Sequence, residues 1–268
     1  MPYVDNKGIR IHYEVEGRGP PFVLIHGLGH SLQDWYDNGY VESLKKDYRL
    51  ILVDVRGHGF SDKPHDSKEY MMKLLVSDLV AVLDDLKISK AHFLGYSRGG
   101  RIGFGIAKYA AERIHSLMIG GSHPYKKTSA DERAVIDSLV QLWKKGAEAV
   151  IADYEKETGS KMAPNLRAML MSNDPKAIIA FMSAEDFALS LEDVLPTMKM
   201  PCLIYVGEAD CGPQRNYANA RRCIENIPNA TFVSLPGLNH REAERIDVML
   251  PHITKFLEGV KHTRSNRP

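Results

Sequence analysis

Seven short apolar stretches, at 10–16, 21–26, 49–55, 91–95, 116–120, 201–207 and 230–235, are rich in Val, Ile, Leu, Phe and Tyr, and most stop at a glycine or proline. Runs of that length read as strands. Several are apolar throughout rather than alternating, the pattern of strands buried on both faces of a parallel sheet. Helical patterns lie between them. The clearest, 70–86, repeats Met71, Leu74, Leu75, Leu79, Val82, Leu83 and Leu86 at helical spacing and leaves Lys73, Asp78, Asp84 and Asp85 on the other side. Strands alternating with helices imply right-handed crossovers and a mostly parallel α/β sheet. The first two stretches are spaced as an antiparallel hairpin would be.

The alternation breaks once. Residues 122–195 are helical in pattern (130–143, 148–157, 165–171 and 175–182) and contain no strand candidate, so they read as a helical cap inserted into a core of 1–121 and 196–268. Met162, Met169, Met171 and Met182 are expected there as adaptable core filler. A chain of 268 residues suits one α/β domain carrying such an insertion. Lys and Arg total 35 against 34 Asp and Glu, a net charge of +1, and no segment concentrates one sign, so no nucleic-acid partner is expected. The 44% apolar and 26% charged content excludes a disordered or fibrous chain. No apolar run approaches the roughly 20 residues of a membrane span. Residues 1–7 show neither a basic leader nor an apolar core, so a secretory signal is not expected and a cytoplasmic location is. Cys202, Cys211 and Cys223 form neither an even disulfide set nor a metal-ligand spacing; reduced thiols and no metal site are expected.

The chemistry concentrates at Gly95-Tyr96-Ser97-Arg98-Gly99, which follows a strand and precedes the helical stretch 101–109. A sharp strand-to-helix turn forces its serine into strained backbone angles, and glycine two residues to each side lets the neighbouring backbone pack closely. Ser97 is then exposed at the tip of a nucleophile elbow, with the positive end of a helix directed at its oxygen. A serine hydroxyl needs a general base, usually a histidine oriented by a carboxylate. Of 11 histidines, His240 follows the last strand candidate at the C-terminal edge of the sheet, where open α/β folds bind ligands; His12, His92, His115, His252 and His262 sit in strands, junctions or the terminal helix. Strand 201–207 runs into Glu208 and Asp210, and Asp210, farther into the loop, is the better carboxylate. Acyl transfer also needs oxyanion donors. The turn His26-Gly27-Leu28-Gly29 offers the Leu28 N–H, and the elbow offers the N–H of Arg98. Gly27, Gly29, Tyr96 and Tyr125 are candidate substrate contacts, whereas Trp35, His123, Trp143 and Phe181 read mainly as packing.

In this order, His-Gly-x-Gly, Asp54-x-Arg56-Gly57-x-Gly59-x-Ser61, Gly-x-Ser-x-Gly, Gly-Glu-x-Asp and Gly-x-x-His resemble the α/β-hydrolase family from about Gly8 to Leu257, least over the cap. The resemblance implies an eight-stranded sheet, a Ser97–Asp210–His240 triad, no cofactor, and a structural rather than catalytic role for Asp54, Arg56 and His58. Arg98 departs from relatives that often carry an uncharged residue such as Met, and places a cation beside the serine. Serine at the elbow argues against the dehalogenase and epoxide hydrolase branches, which attack with aspartate, and against dienelactone hydrolases, which use cysteine. The expected activity is hydrolysis of carboxylic esters, thioesters or lactones of small to medium acyl substrates. The alternatives are C–C bond hydrolysis and a hydrolase-like ligand receptor.

Overall fold

The structure, a computed structural model, describes residues 2–126, 130–211 and 216–265; the parts of the expected core and cap at 1, 127–129, 212–215 and 266–268 lie outside the described residues. In chain order the elements are β1 (Tyr3–Asn6), β2 (Ile9–Glu16), β3 (Pro21–Ile25), α1 (Gln33–Asp37), α2 (Tyr40–Leu44), β4 (Arg49–Val53), α3 (Met72–Asp85), β5 (Ala91–Tyr96), α4 (Arg98–Tyr109) and β6 (Ile114–Gly120). Then follow α5 (Ala130–Lys144), α6 (Ala147–Thr158), α7 (Pro164–Met171), α8 (Pro175–Met182), β7 (Cys202–Gly207), α9 (Asn216–Cys223), β8 (Ala230–Leu235) and α10 (Ile246–Ser265). The strands form one eight-stranded sheet in the order β1-β2-β4-β3-β5-β6-β7-β8. It is parallel from β4 to β8, with β2 antiparallel to both β1 and β4.

The continuous apolar runs are explained by two cores, one on each face of the sheet. Along β3 and β4, Val23, Ile25, Ile51 and Val53 point to the side carrying α3, α4 and the insertion, while Phe22, Leu24, Leu50 and Leu52 point to α1, α2 and α10. Two sequence expectations are corrected here. The stretches 10–16 and 21–26 do not form a hairpin: β4 lies between them, because β3 is apolar on both faces and belongs in the doubly covered centre. β2 instead pairs with β1, a strand absent from the apolar-run pattern because Tyr3–Asn6 is polar and half exposed. Asp78 is also not on the outside of α3. It is buried because Arg56, from the turn after β4, donates from Nε and Nη2 to its two oxygens at 2.6 Å each, and Asn6 Nδ2 adds a third bond at 2.7 Å.

The turns at the C-terminal edge of the sheet are organised around Asp54. Its carboxylate accepts the Leu32 N–H (2.8 Å), the Phe60 N–H (2.9 Å) and His12 Nδ1–H (2.8 Å), joining the loops after β3 and β4 to β2. Burial alone would raise the Asp54 pKa; the bonds from His12, Leu32 and Phe60 and the nearby His26 outweigh it and hold the group below its ordinary value. His26 braces the same region, its Nε2 accepting the Val55 N–H at 3.1 Å.

The helices α5 to α8 lie between β6 and β7 and bury Trp143, Leu166, Leu170 and Phe181 against the α3–α4 side. The two ends of this insertion meet. Leu191 N–H donates to Pro124 O at 2.8 Å, and Arg101 of α4 donates to the carbonyls of His123 (3.1 Å), Tyr125 (3.4 Å) and Leu189.

Removing the Asp54 carboxylate would strand buried donors from three segments. Asp54→Ala is expected to lower unfolding free energy by about 3–5 kcal/mol in urea melts, several times the loss in Asp247→Ala, whose carboxylate meets Arg245 at the surface. Equal losses in the two variants would show that Asp54 is not the hub.

Candidate active site

β5 is buried along its whole length and ends at Tyr96; the chain then turns into α4 through Ser97 at φ 54°, ψ −114°. A non-glycine residue held there is strained. Two glycines make the turn possible. A Cβ on Gly95 would collide with the backbone of Gly99 and Gly100, and one on Gly99 would collide with the carbonyls of Ile25 and His26, so helix α4 can seat against β3 and β5 only with both positions bare. The turn is fixed on its other side by the Ser97 N–H, which donates to Gly120 O at 2.8 Å.

The loops after β7 and β8 are laced together. Glu208 N–H donates to Leu235 O and Ala209 N–H to Leu238 O, both at 3.0 Å, which brings Asp210 beside His240. Asn239 stiffens the second loop: its Oδ1 accepts the N–H groups of Arg241 and Glu242 at 3.0 Å each, and its own N–H donates to Glu242 Oε2 at 2.9 Å. His240 Nδ1 lies 2.6 Å from Asp210 Oδ2, and His240 Nε2 lies 3.0 Å from Ser97 Oγ. With Nδ1–H donated to an ionised carboxylate, Nε2 carries the lone pair and accepts the serine O–H. Asp210 is itself oriented by Asn216 Nδ2, which donates to both oxygens at 3.1 and 3.2 Å. Glu208, the rival acid, faces outward and accepts from Ser234 Oγ at 2.6 Å.

A cavity of about 100 Å³ adjoins Ser97 and is lined in part by Leu28, Arg98, Arg101, His123 and Phe187. The four expected substrate contacts, Gly27, Gly29, Tyr96 and Tyr125, are not among the residues that line this cavity. Gly27 lies close by, where a Cβ would reach Ser97 Cβ at 3.5 Å. Gly29 is covered by Leu170 and Trp143, and its carbonyl accepts Asn173 Nδ2–H at 2.7 Å. Tyr96 points to the opposite core, where its hydroxyl donates to the His240 carbonyl. Tyr125 stacks on His123 at 5.9 Å under the Arg222 guanidinium, behind the cavity wall.

Sequence reasoning missed Asn216, Asn239, Arg101 and Glu244. Asn216 and Asn239 stand near the expected acid and base in the chain, but nothing in their type distinguishes them from ordinary loop residues. Glu244 follows His240 by four residues, beside the half-buried His30 and its buried partner Asp34. Burial raises the Glu244 carboxyl to about 7; His30, His240 and Arg241 oppose the shift and Asp34 adds to it. His30 is raised as well: burial opposes its charge, and the hydrogen bond and charge of Asp34 more than reverse that.

The α/β hydrolase fold family profile matches residues 20–163, and the chain belongs to that family. Over 174 residues, 60% of this chain, it is 31% identical to a putative 2-succinyl-6-hydroxy-2,4-cyclohexadiene-1-carboxylate synthase of Bacillus subtilis (strain 168). It is 33% identical to epoxide hydrolase 4 of Mus musculus over 118 residues, 43% of this chain. The alignments span 62% and 32% of those two relatives' lengths. Among solved structures, the enol-lactonase of Burkholderia xenovorans LB400 superposes with a TM-score of 0.79 at 26% identity, over 96% of this chain and 100% of that one. No described helix is long and apolar enough to cross a membrane.

The Glu244 shift has a defined sign. The folded protein holds a proton up to about pH 7 that the unfolded chain, at the ordinary value of 4.5, has released, so stability contributed by that proton falls as pH rises from 4.5 to 7. Thermal melts at pH 5 and pH 8 are expected to show wild-type Tm falling roughly 5 °C more than that of Glu244→Gln. Parallel curves would rule the coupling out.

Proposed function

We propose that this α/β-hydrolase cleaves carboxylic esters, thioesters or lactones of small to medium acyl substrates through Ser97, His240 and Asp210. The observation that carries the reading is the unbroken hydrogen-bond line from Asp210 through His240 to a strained, helix-backed Ser97. His240 Nε2 takes the hydroxyl proton as Ser97 Oγ attacks the carbonyl carbon; Asp210 stabilises the imidazolium. The tetrahedral oxyanion is held by the Leu28 and Arg98 N–H groups, which make no hydrogen bond among the described residues. Collapse of this intermediate breaks the bond to the leaving group, which takes the proton from His240. Water, deprotonated by the same nitrogen, then attacks the acyl-enzyme and frees the acid and Ser97.

Ser97 at the elbow separates this reading from an aspartate-nucleophile mechanism, although one relative is named an epoxide hydrolase. The enol-lactonase with the same fold supports a cyclic or open ester as substrate. In this reading residues 122–195, with helices α5 to α8, form a cap that closes the cavity.

A serine-directed phosphonate is expected to label Ser97 stoichiometrically and abolish turnover of a short-chain aryl ester. Ser97→Ala is expected to lower kcat by at least about 10³-fold and Asp210→Asn by about 10²- to 10⁴-fold. Full activity in Ser97→Ala would refute the proposed mechanism.

A further inference from the structure

Arg98 presents a cation that the fold leaves unanswered. It is the first residue of α4 and immediately follows Ser97; its guanidinium is buried between the rings of Phe181 and Phe187, 4.9 and 4.1 Å from their centroids. Nη1 donates to Phe187 O at 3.1 Å, whereas Nε and Nη2 have no partner among the described residues. That free pair forms the side edge of the guanidinium. Arg56 shows what the edge is suited to, since its Nε and Nη2 grip both oxygens of Asp78 at 2.6 Å.

The surrounding charge does not balance. Arg101, also buried, lies one helical turn away, and its two terminal nitrogens are committed to the carbonyls that clasp the insertion. Asp186 is the acid that acts on both arginines, yet it forms no ion pair with either among the described residues. One of its oxygens accepts the Met72 N–H at 2.6 Å. Two cations therefore share one carboxylate, at the positive end of a helix where a further cation is unfavourable. Burial first, and the charge of Arg101 second, bring the Arg98 guanidinium down to about 9, which leaves it cationic at neutral pH. A buried charge without a counter-ion is costly, and a monoanion beside it removes that cost. Arg98 and Arg101 both line the cavity that holds Ser97.

We propose that Arg98 is a substrate-binding residue whose Nε–Nη2 edge takes a carboxylate, so that the preferred substrates are esters, thioesters or lactones bearing a second, free carboxylate a few bonds from the scissile carbonyl. The inference rests on the serine-hydrolase reading for the place of the reacting carbonyl. The planar, bidentate fork and the single uncompensated charge match a carboxylate in shape and in number of charges.

The test compares phenyl hydrogen glutarate with phenyl methyl glutarate, which differ in that one charge. Wild-type kcat/KM is expected to favour the anion by about 10- to 100-fold; Arg98→Gln is expected to erase that ratio, and Arg98→Lys to keep part of it. Asp186→Asn, by removing the competing internal charge, is expected to raise it. A wild-type ratio at or below one, or a ratio unchanged in Arg98→Gln, overturns the proposal. An Asp186→Asn protein that loses stability with its ratio unmoved does so too, because Arg98 then serves Asp186. Calorimetric titration of the Ser97→Ala protein with monomethyl glutarate and dimethyl glutarate reads carboxylate preference without turnover, and does so with Arg98 intact if Arg98→Gln does not fold. Arg98-dependent binding of the monoester with no phosphonate labelling of Ser97 would uphold this inference and sink the hydrolytic one. Hydrolysis at Ser97 with no charge preference would do the reverse.

Discussion

The close approach of bare backbone to bare backbone at the end of β5 is the constraint on which the site depends. Gly99 faces the carbonyls of Ile25 and His26, and Gly95 faces Gly99, so α4 seats against the sheet and holds Ser97 at positive φ. From that one turn follow the direction of the serine oxygen, the helix end behind it, and the location of the arginines at the first and fourth positions of α4. The loops after β7 and β8 then need only be laced to one another to bring an acid and an imidazole to a point the elbow has already set.

The parts of this arrangement legible in sequence were those written in local pattern. Apolar runs revealed the strands from β2 onward, and the glycine spacing revealed the elbow. Position after a strand singled out Asp210 over Glu208 and His240 over the other histidines, and the structure places the side chains of Ser97, His240 and Asp210 in hydrogen-bond contact. What stayed illegible depends on contacts across long stretches of chain. The placement of β4 between β2 and β3 is a property of the sheet, not of either strand. Asp78 looks like a surface acid until Arg56, 22 residues away, meets it. Gly29 and Tyr125 stand next to residues that line the cavity, yet each is turned or covered by a neighbour, a matter of side-chain direction that spacing does not encode.

Buried charge is handled here in two ways. Asp54 and Asp78 are surrounded by donors and serve the fold: one ties three segments together and the other anchors a turn to α3. Around Ser97 the balance shifts, with Glu244 raised by burial behind His240 and two arginines sharing Asp186 in front. Among the described residues, unpartnered buried nitrogens occur in both regions, at His12, Trp35 and His58 in the core and at Arg98 and Arg101 beside the cavity, but only the latter belong to cations.

The clasp formed by Arg101, together with the Leu191–Pro124 bond, pins both stems of the α5–α8 segment to one helix of the sheet layer. Between those held ends the segment also packs into the α3–α4 core through Trp143, Leu166, Leu170 and Phe181, so the scaffold beneath depends on it for cover. Losing the Arg101 guanidinium would therefore release carbonyls at both ends of the segment in one step.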